Sequence, residues 1–154
     1  MTGDTLDIWR HHVYQRVSIR KLSGRNVLDV GCGEGVVTRY LATIAKSVIG
    51  FDIEPSDAWN RRTPQNLKFT VADAQMLPFK RRQFTGVFLQ DTLHHVESPQ
   101  TVLREIDRVT KSGSVIILVE ANRYNPIFYI HMTKMRGHEH FPFTRFKRMV
   151  TEVF

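Results

Sequence analysis

The stretch VLDVGCGEG, at positions 27–35, constrains the fold of this 154-residue chain more than any other. It begins with a short apolar run and continues with glycines at three alternate positions, Gly31, Gly33 and Gly35. A short apolar run bounded by turn residues is typical of a strand buried on both faces. A glycine loop after such a strand lets a ligand approach the backbone closely, because no Cβ stands in the way. The stretch therefore predicts a strand, a ligand-binding loop and then a helix.

Strand and helix patterns alternate along the rest of the chain. Apolar residues at three- and four-residue steps predict an amphipathic helix over 36–45, with an apolar face made of Val36, Val37, Tyr40, Leu41, Ile44 and Ala45. Ser98 and Pro99 are typical of the cap and first turn of a helix over 98–110, and KSG at 111–113 then predicts a turn. Strands are predicted at 26–30, 47–52, 67–73, 85–90 and 114–120, and other helical segments at 5–22, 54–62, 126–136 and 144–154, with Thr144 capping the last.

Strands that alternate with helices and are almost continuously apolar predict an α/β fold. We expect a doubly wound, mostly parallel sheet of about five strands with helices on both faces. Such a sheet binds its ligand at the carboxyl ends of the strands, near the reversal of strand order. The residues at these ends are Gly31–Gly35, Asp52, Asp73, Gln90–His95 and Glu120–Asn122.

Composition indicates the cellular compartment of the protein but does not identify its binding partner. A single cysteine, Cys32, excludes an intramolecular disulfide and a multi-cysteine zinc site, and it fits a reducing compartment. No signal-peptide core and no run of about 20 apolar residues occurs, so we expect a cytoplasmic protein that is not in the membrane. The net charge of +7 suits an RNA partner or a merely solvated surface. The basic clusters are Arg61-Arg62, Lys80-Arg81-Arg82, Arg145 and Lys147-Arg148.

Two acids that follow predicted strands indicate which kind of ligand the glycine loop binds. Asp52 follows Gly35 by 17 positions, at a distance where a carboxylate could accept from both hydroxyls of a ribose. Asp73 places a second carboxylate at the same edge of the sheet. The spacing G-x-G-x-G also differs from the G-x-G-x-x-G of dinucleotide sites. Two acids without a basic cradle favour an adenosine that carries no phosphates.

The successive motifs VLDVGCGEG, FDIEPS, VADAQMLPF, FTGVFLQDTLHHV and LREIDRVTKSGSVIILVE resemble those of the class I S-adenosylmethionine-dependent methyltransferases. The resemblance covers residues 26–120 and is strongest to the methyltransferase-11-like domains. It implies a Rossmann-like single domain over 1–154, with a helical cap (1–24), a cofactor-binding core (25–121) and a helical C-terminal segment (122–154). It also implies S-adenosyl-L-methionine as cofactor, S-adenosyl-L-homocysteine as product, and in-line transfer of a methyl group to an acceptor that the sequence does not identify.

The resemblance assigns roles to individual residues. Asp29 would orient the glycine loop and the amino group of the methionine part, directly or through water. Asp52 would bind the ribose hydroxyls, and Asp73 would accept from the adenine amino group. The remaining cofactor contacts would come from backbone groups or packing at Gly31, Cys32, Gly33, Ile53, Ala74 and Gln90.

Catalysis by in-line transfer needs few residues, and the candidates for a general base are His94 and His95. Adjacent residues do not share a helix face, so we expect at most one of them in the cleft. We expect no metal, because the histidine spacing matches no zinc pattern. Cys32 has no base beside it in the sequence and is read as a packing residue.

The chain also departs from the family pattern, because it ends before the C-terminal β-hairpin that usually completes the sheet. We therefore expect a fragment, a shortened protein, or a protomer whose sheet edge is covered by a second copy or another partner. Two other functions stay open. One is a module that binds S-adenosylmethionine or a partner without catalysis, and the other is an NAD-dependent oxidoreductase. The methyl acceptor itself is expected to be a small molecule, with RNA as the alternative.

Overall fold

A five-stranded parallel sheet forms the centre of the described chain. The computed structural model describes residues 18–120 and 141–154. The strands run in the order β3-β2-β1-β4-β5, and each neighbouring pair is parallel. The predicted α/β fold and its five strands are thereby confirmed. The strands are β1 (Asn26–Val30), β2 (Ser47–Asp52), β3 (Leu67–Val71), β4 (Phe84–Gln90) and β5 (Thr110–Val119).

Helices pack on both faces of this sheet, as predicted. Alternate residues of a strand point to opposite faces, so Val27 and Leu28 of β1 belong to two different buried clusters. The cluster with Val27 packs against α1 (Val36–Ile44) and a 3₁₀ turn at Ile19–Leu22. The cluster with Leu28 packs against α2 (Pro99–Val109) and α3 (Phe143–Thr151). Two further 3₁₀ turns lie at Asp57–Asn60 and Leu93–His95.

The ends of two strands differ from the prediction. β3 stops at Val71 rather than at position 73, because Asp73 begins a turn in which its Oδ1 accepts the N–H of Gln75 at 2.8 Å. β5 begins at Thr110 rather than at 114, so the turn predicted at 111–113 is wrong. These residues extend the strand through an irregularity in its pairing with β4, where Gly113 has a φ of 74°.

Of the two helix caps that were predicted, one is correct and one is wrong. Ser98 caps α2, since its hydroxyl accepts the N–H of Thr101 at 3.4 Å. Thr144 does not cap α3, because that helix begins at Phe143 with Pro142 at the cap position. Proline fixes the backbone for the first turn without a side-chain hydrogen bond.

The apolar face predicted for α1 is wrong in part. Val36 and Tyr40 are 44% and 40% exposed, whereas Thr38, Leu41 and Ala42 are buried. Val36 faces a cavity at the start of the helix rather than the core. The helix therefore presents a narrower apolar stripe to the sheet than predicted, and its first turn borders the cavity.

The helix predicted at 126–136 and most of that at 5–22 lie outside the described residues. Within the described ranges, no helix has the length and apolar character that crossing a bilayer requires. The cytoplasmic location and the division into cap, core and C-terminal segment stay predictions.

Candidate functional site

The carboxyl ends of β1 and β4 mark the point at which strand order reverses. β2 and β3 lie on one side of β1, and the chain then returns to place β4 and β5 on the other. Loops diverge at such a point and leave a crevice above the strand ends. Gly31 has a φ of 69°, and a Cβ there would collide with the side chain of Thr92, which follows β4. The two loops are thus in contact where they leave the sheet, at a position that only glycine can occupy without strain.

The N–H groups of the glycine loop are directed into the protein. Cys32 donates to the carbonyl of Phe51 at 2.9 Å, and Gly33 donates to Asp52 Oδ2 at 2.7 Å. Gly35 donates to the carbonyl of Cys32 at 2.9 Å. A phosphate-binding loop needs such donors to be free for the anion. This loop therefore differs from a phosphate cradle.

Trp59, to which the sequence analysis gave no role, contacts the glycine loop through a hydrogen bond. The indole N–H of Trp59 donates to the carbonyl of Gly33 at 2.7 Å. The ring stacks on Phe69, with centroids 5.2 Å apart and planes 5° from parallel. Arg39 lies over the same phenyl ring at 5.4 Å and donates to the carbonyl of Ala58 at 2.7 Å. This set of contacts fixes the 3₁₀ turn after β2 against the glycine loop.

Two adjoining cavities collect all nine residues predicted to contact a cofactor. The first, here called the loop cavity, has a volume of about 210 Å³ and is lined by Asp29, Gly31, Cys32, Gly33 and Gln90 among others. The second, here called the strand-end cavity, measures about 440 Å³ and includes Gly31, Asp52, Ile53, Asp73 and Ala74. Gly31 and Asp91 border both cavities. Residues from four separate strand ends therefore meet around these two adjoining cavities, which are together called the crevice.

The crevice is acidic although the chain as a whole carries a net charge of +7. Among the described residues that line the two cavities, none is lysine or arginine. The carboxylates there belong to Asp29, Glu34, Asp52, Asp73, Asp91 and Glu97. A cleft lined with one sign of charge attracts ligands of the opposite sign, so this one favours a cation.

Asp29 is the most deeply buried of these acids, at 3% exposure. The hydroxyl of Thr38 donates to its Oδ2 at 2.6 Å. Burial raises the pKa of Asp29 to about 7, and the charge of Asp52 adds to this effect, while the hydrogen bond from Thr38 opposes it. The carboxyl therefore changes its charge close to neutral pH, directly beneath the glycine loop.

Cys32 is a poor nucleophile in this setting. Burial raises the pKa of its thiol well above the usual range, and the charges of Asp29 and Asp52 raise it further. A thiol with a raised pKa stays protonated, whereas nucleophilic attack needs the thiolate. This environment agrees with the packing role expected from the sequence.

Asp52 holds a defined orientation at the end of β2. Its Oδ2 accepts the N–H of Gly33 at 2.7 Å and its Oδ1 accepts the N–H of Ile53 at 2.8 Å. Each carboxylate oxygen has a second lone pair, so the group can still accept from a ligand. Ile53 next to it is 68% exposed and offers an apolar surface at the mouth of the strand-end cavity.

Among the described residues, Gln90 has the one buried side-chain polar atom without a hydrogen-bond partner. Its Oε1 is buried and has no hydrogen-bond partner, while its Nε2 donates to Asp91 Oδ2 at 3.3 Å. Its backbone carbonyl accepts from the Thr92 hydroxyl at 3.0 Å. A buried acceptor without a partner is costly unless a ligand or water supplies a donor.

The two candidate base residues occupy different environments. His95 lines the strand-end cavity. The side chain of His94 is 1% exposed, and its Nδ1 lies 2.8 Å from Oε2 of Glu120. Their ring centroids are 4.0 Å apart. Sequence spacing alone could not show this pairing, because 26 residues separate His94 from Glu120.

The chain matches the family model described as "Methyltransferase domain" over residues 28–118. This span covers more than half of the chain, and the chain belongs to that family. It is 31% identical over 115 residues to the ubiquinone biosynthesis O-methyltransferase of Pseudomonas paraeruginosa, an alignment that covers 71% of this chain and 49% of that protein. The chain thus spans about half the length of the curated relatives it matches.

Solved structures share the fold. A methyltransferase candidate from Bacillus halodurans has a TM-score of 0.74 at 25% identity, over 90% of this chain and 67% of that one. An S-adenosylmethionine-dependent methyltransferase from Mesorhizobium loti has a TM-score of 0.75 at 15% identity, over 91% of this chain and 79% of the other. These likenesses agree with the topology described above.

Proposed function

We propose that this chain binds S-adenosylmethionine in the crevice above β1 and β4 and acts as a methyltransferase. The observation that carries the proposal is the acidic lining of both cavities, combined with glycine-loop N–H groups that donate inward. Such a site suits an adenosine that has no phosphates and bears a positive charge. S-adenosylmethionine is a ligand of that kind, since its sulfonium and ammonium groups are both cationic.

The residues present fit this cofactor. Asp52 is oriented by two backbone N–H groups and keeps lone pairs for the ribose hydroxyls. Asp73 and Ala74 lie beside it in the strand-end cavity, where an adenine would lie against Ile53. Gln90 and Asp29 both line the loop cavity, and we take the orphaned Oε1 of Gln90 and the carboxyl of Asp29 as the acceptors for an ammonium group. Hydrogen bonds to charged groups contribute about 1.5–3 kcal/mol each.

When bound, the cofactor would supply a methyl group already activated on sulfur. The chain's own contribution is then to align the acceptor and to keep water out, effects that can supply about 7–11 kcal/mol. A general base is needed only for an acceptor that is protonated at neutral pH. His95 lines the cavity and is the candidate for that role, with His94 behind it.

We propose a small molecule with a hydroxyl group as the acceptor. The relative from Pseudomonas paraeruginosa is named for O-methylation in ubiquinone biosynthesis, which supports an acceptor of this class. An RNA acceptor is less well supported, because side chains of the basic clusters also make contacts within the chain. Arg82 donates to the carbonyl of Thr110 and Arg145 lies over Phe141. A second copy or a partner along the outer edge of β5 stays a prediction from the sequence.

The test of the proposed site is the affinity for S-adenosylhomocysteine, measured by isothermal titration calorimetry. Asp52→Asn should weaken binding at least tenfold, because it removes the charge and one of the acceptors that face the ribose. Asp107→Asn, on α2 and outside both cavities, is the matched control and should leave affinity unchanged. An Asp52→Asn variant that binds as well as the wild type would contradict this assignment.

Methyl transfer distinguishes an enzyme from a module that only binds. Purified protein, radiolabelled S-adenosylmethionine and a panel with phenolic, quinol and carboxylate acceptors should give labelled product with at least one hydroxyl compound. Tight cofactor binding without transfer to any acceptor would favour the binding module. An oxidoreductase is disfavoured because the pyrophosphate of NAD would face Asp29 and Asp52 without a free N–H donor at Cys32, Gly33 or Gly35.

A further inference from the structure

Glu120 lies directly after β5 and is the most heavily hydrogen-bonded acid beside the crevice. Its side chain is only 5% exposed. Oε1 accepts the backbone N–H groups of Thr92 at 3.0 Å and Leu93 at 2.7 Å. Oε2 lies 2.8 Å from Nδ1 of His94. One carboxylate at the end of β5 therefore binds three consecutive residues of the loop that follows β4.

These contacts determine the proton position on His94. A buried carboxylate is costly unless donors satisfy its oxygens, and an ionised one can only accept. The atom of His94 that faces it must then carry the hydrogen, which makes the neutral ring the Nδ1–H tautomer. The lone pair is left on Nε2, on the opposite side of the ring from Glu120.

The segment held in this way borders the crevice. Thr92 and His95 both line the strand-end cavity, and Asp91 lines both cavities. Thr92 also donates to the carbonyl of Val30 at 3.1 Å and packs against Gly31. His95 contacts the ring of His94, whose position Glu120 fixes. A change at Glu120 would therefore be transmitted to the wall of the cavity without any contact between Glu120 and a ligand.

We propose that Glu120 is a positioning residue for the candidate general base, His95. Its carboxylate fixes residues 92–94, selects the Nδ1–H tautomer of His94 and thereby sets the face that His95 presents to the cavity. This inference rests on the proposed methyltransferase function, which gives His95 its role toward the acceptor. The hydrogen-bond arrangement can be tested without any methyl acceptor.

A metal ion is the competing explanation for this cluster. One ligand atom each from Asp91, His94 and Glu120 lie within 4.8 Å of one another, as three ligands of one ion would. Oε1 of Glu120 already accepts two backbone N–H groups, however, and Oε2 lies at hydrogen-bond distance from His94 Nδ1. The hydrogen-bonded arrangement leaves little reason for a metal, and the test includes a metal titration.

Two variants distinguish the effect of Glu120 on the His94 tautomer from its mechanical support of the loop after β4. In Glu120→Gln, the amide oxygen can still accept the N–H groups of Thr92 and Leu93, but its NH₂ would face His94 Nδ1. The ring must then move its proton to Nε2. In Glu120→Ala, all three contacts are lost. Glu152→Gln, at an exposed residue directly after α3, is the matched control.

The measurement is ¹⁵N NMR of the histidine ring nitrogens at a pH where His94 is neutral. The wild type and Glu152→Gln should show the Nδ1–H tautomer, and Glu120→Gln should show Nε2–H with a melting temperature close to that of the wild type. A purely structural role would not move this signal between folded variants. A wild-type His94 in the Nε2–H form, or a signal unchanged in Glu120→Gln, would overturn the proposal.

Chemical modification gives a second, independent readout. Diethyl pyrocarbonate should modify His95 but hardly His94 in the wild type, and Glu120→Ala should raise modification of His94 at least fivefold. Equal modification of His94 in both proteins would show that Glu120 does not hold the segment. Zn²⁺ or Mn²⁺ binding at micromolar concentration that Glu120→Gln abolishes would overturn the proposal in favour of a metal site.

Titration with S-adenosylhomocysteine separates this proposal from the function on which it rests. Glu120→Gln should bind it within about threefold of the wild type, because Glu120 itself contacts none of the nine predicted cofactor residues and the amide oxygen still accepts the Thr92 N–H. Loss of binding in that variant would assign Glu120 to the support of the cofactor contacts and overturn its assignment to the candidate base. A wild type that fails to bind would remove the proposed function, and with it the role of Glu120 toward the base.

Discussion

At the scale of single residues, the chemistry of the crevice depends on one acid whose charge is controlled by burial. That acid is Asp29, whose carboxyl is 3% exposed and whose pKa is raised to about 7, chiefly by burial. An acid in this state is partly protonated at neutral pH. The affinity of the loop cavity for a cation should therefore depend on pH.

We predict that affinity for S-adenosylhomocysteine rises as the pH increases from about 5.5 to 7.5. Over this range Asp29 loses its proton and can attract the ammonium group of the ligand. The measurement is calorimetric titration at a series of pH values. Asp29→Asn should flatten the profile. A profile with the same midpoint in the wild type and in Asp29→Asn would show that Asp29 does not control binding.

The same residue should make unfolding depend on pH. The pKa of Asp29 is raised from 3.8 to about 7 in the folded state, so the folded protein holds this proton more tightly than the unfolded chain. The stability that protonation contributes is complete below about pH 3.8 and is lost as the pH rises through 7. Denaturant unfolding at pH 8 should show Asp29→Asn to be more stable than the wild type. A variant that is less stable at pH 8 would contradict the raised pKa.

At the scale of elements, the site depends on contacts that hold loops against one another. Asp52 and Asp73 could be placed from the sequence, because parallel strands end at the same edge and the strands were predicted correctly to within a few residues. The roles of Trp59 and Glu120 could not be predicted from the sequence. Each acts on a residue 26 positions away, and only the packing of the 3₁₀ turn after β2, or of β5 beside β4, brings them together.

The exposure of Val36 could not be predicted from the sequence either, because it also depends on packing. A helical stripe shows which residues are apolar, but the first turn of α1 lies at the crevice and not on the sheet. The position of Asp29 at the cofactor was predicted from the resemblance, but its raised pKa follows from burial that the sequence does not display.

We predict that the Trp59 hydrogen bond to Gly33 supports cofactor binding through the loop. Trp59→Phe removes the N–H donor and keeps an aromatic ring on Phe69. Loss of one such bond corresponds to about 0.5–1.5 kcal/mol, or roughly two- to tenfold weaker binding. Calorimetric titration of S-adenosylhomocysteine checks this. Unchanged affinity in Trp59→Phe, with unchanged thermal stability, would show that the bond has no influence on the loop.

A pair of glycine substitutions tests the packing between the two loops. Gly24 and Gly31 have nearly equal φ values, 68° and 69°, but a Cβ meets nothing within 4 Å at Gly24 and the Thr92 side chain at Gly31. Gly24→Ala should cost about 1 kcal/mol of unfolding free energy for backbone strain. Gly31→Ala should cost at least about 2 kcal/mol more. Urea unfolding that gives equal losses would mean that the loops separate readily.

At the scale of the whole molecule, charge is distributed unevenly. The chain is basic, with 22 lysines and arginines against 15 acids, yet the described lining of the crevice is acidic. The positive charge therefore lies elsewhere, and the crevice discriminates between ligands by their own charge. The fold could be predicted from strand and helix periodicity alone, whereas this asymmetry appears only when the strand ends are brought together.

The central claim is that this crevice takes an adenosine that carries an ammonium group and no phosphates. The most direct test is calorimetric titration of the same protein preparation with S-adenosylmethionine, S-adenosylhomocysteine and NAD⁺. We predict micromolar binding of the two sulfur-containing adenosines and no measurable binding of NAD⁺. Binding of NAD⁺ with equal or higher affinity would contradict the account.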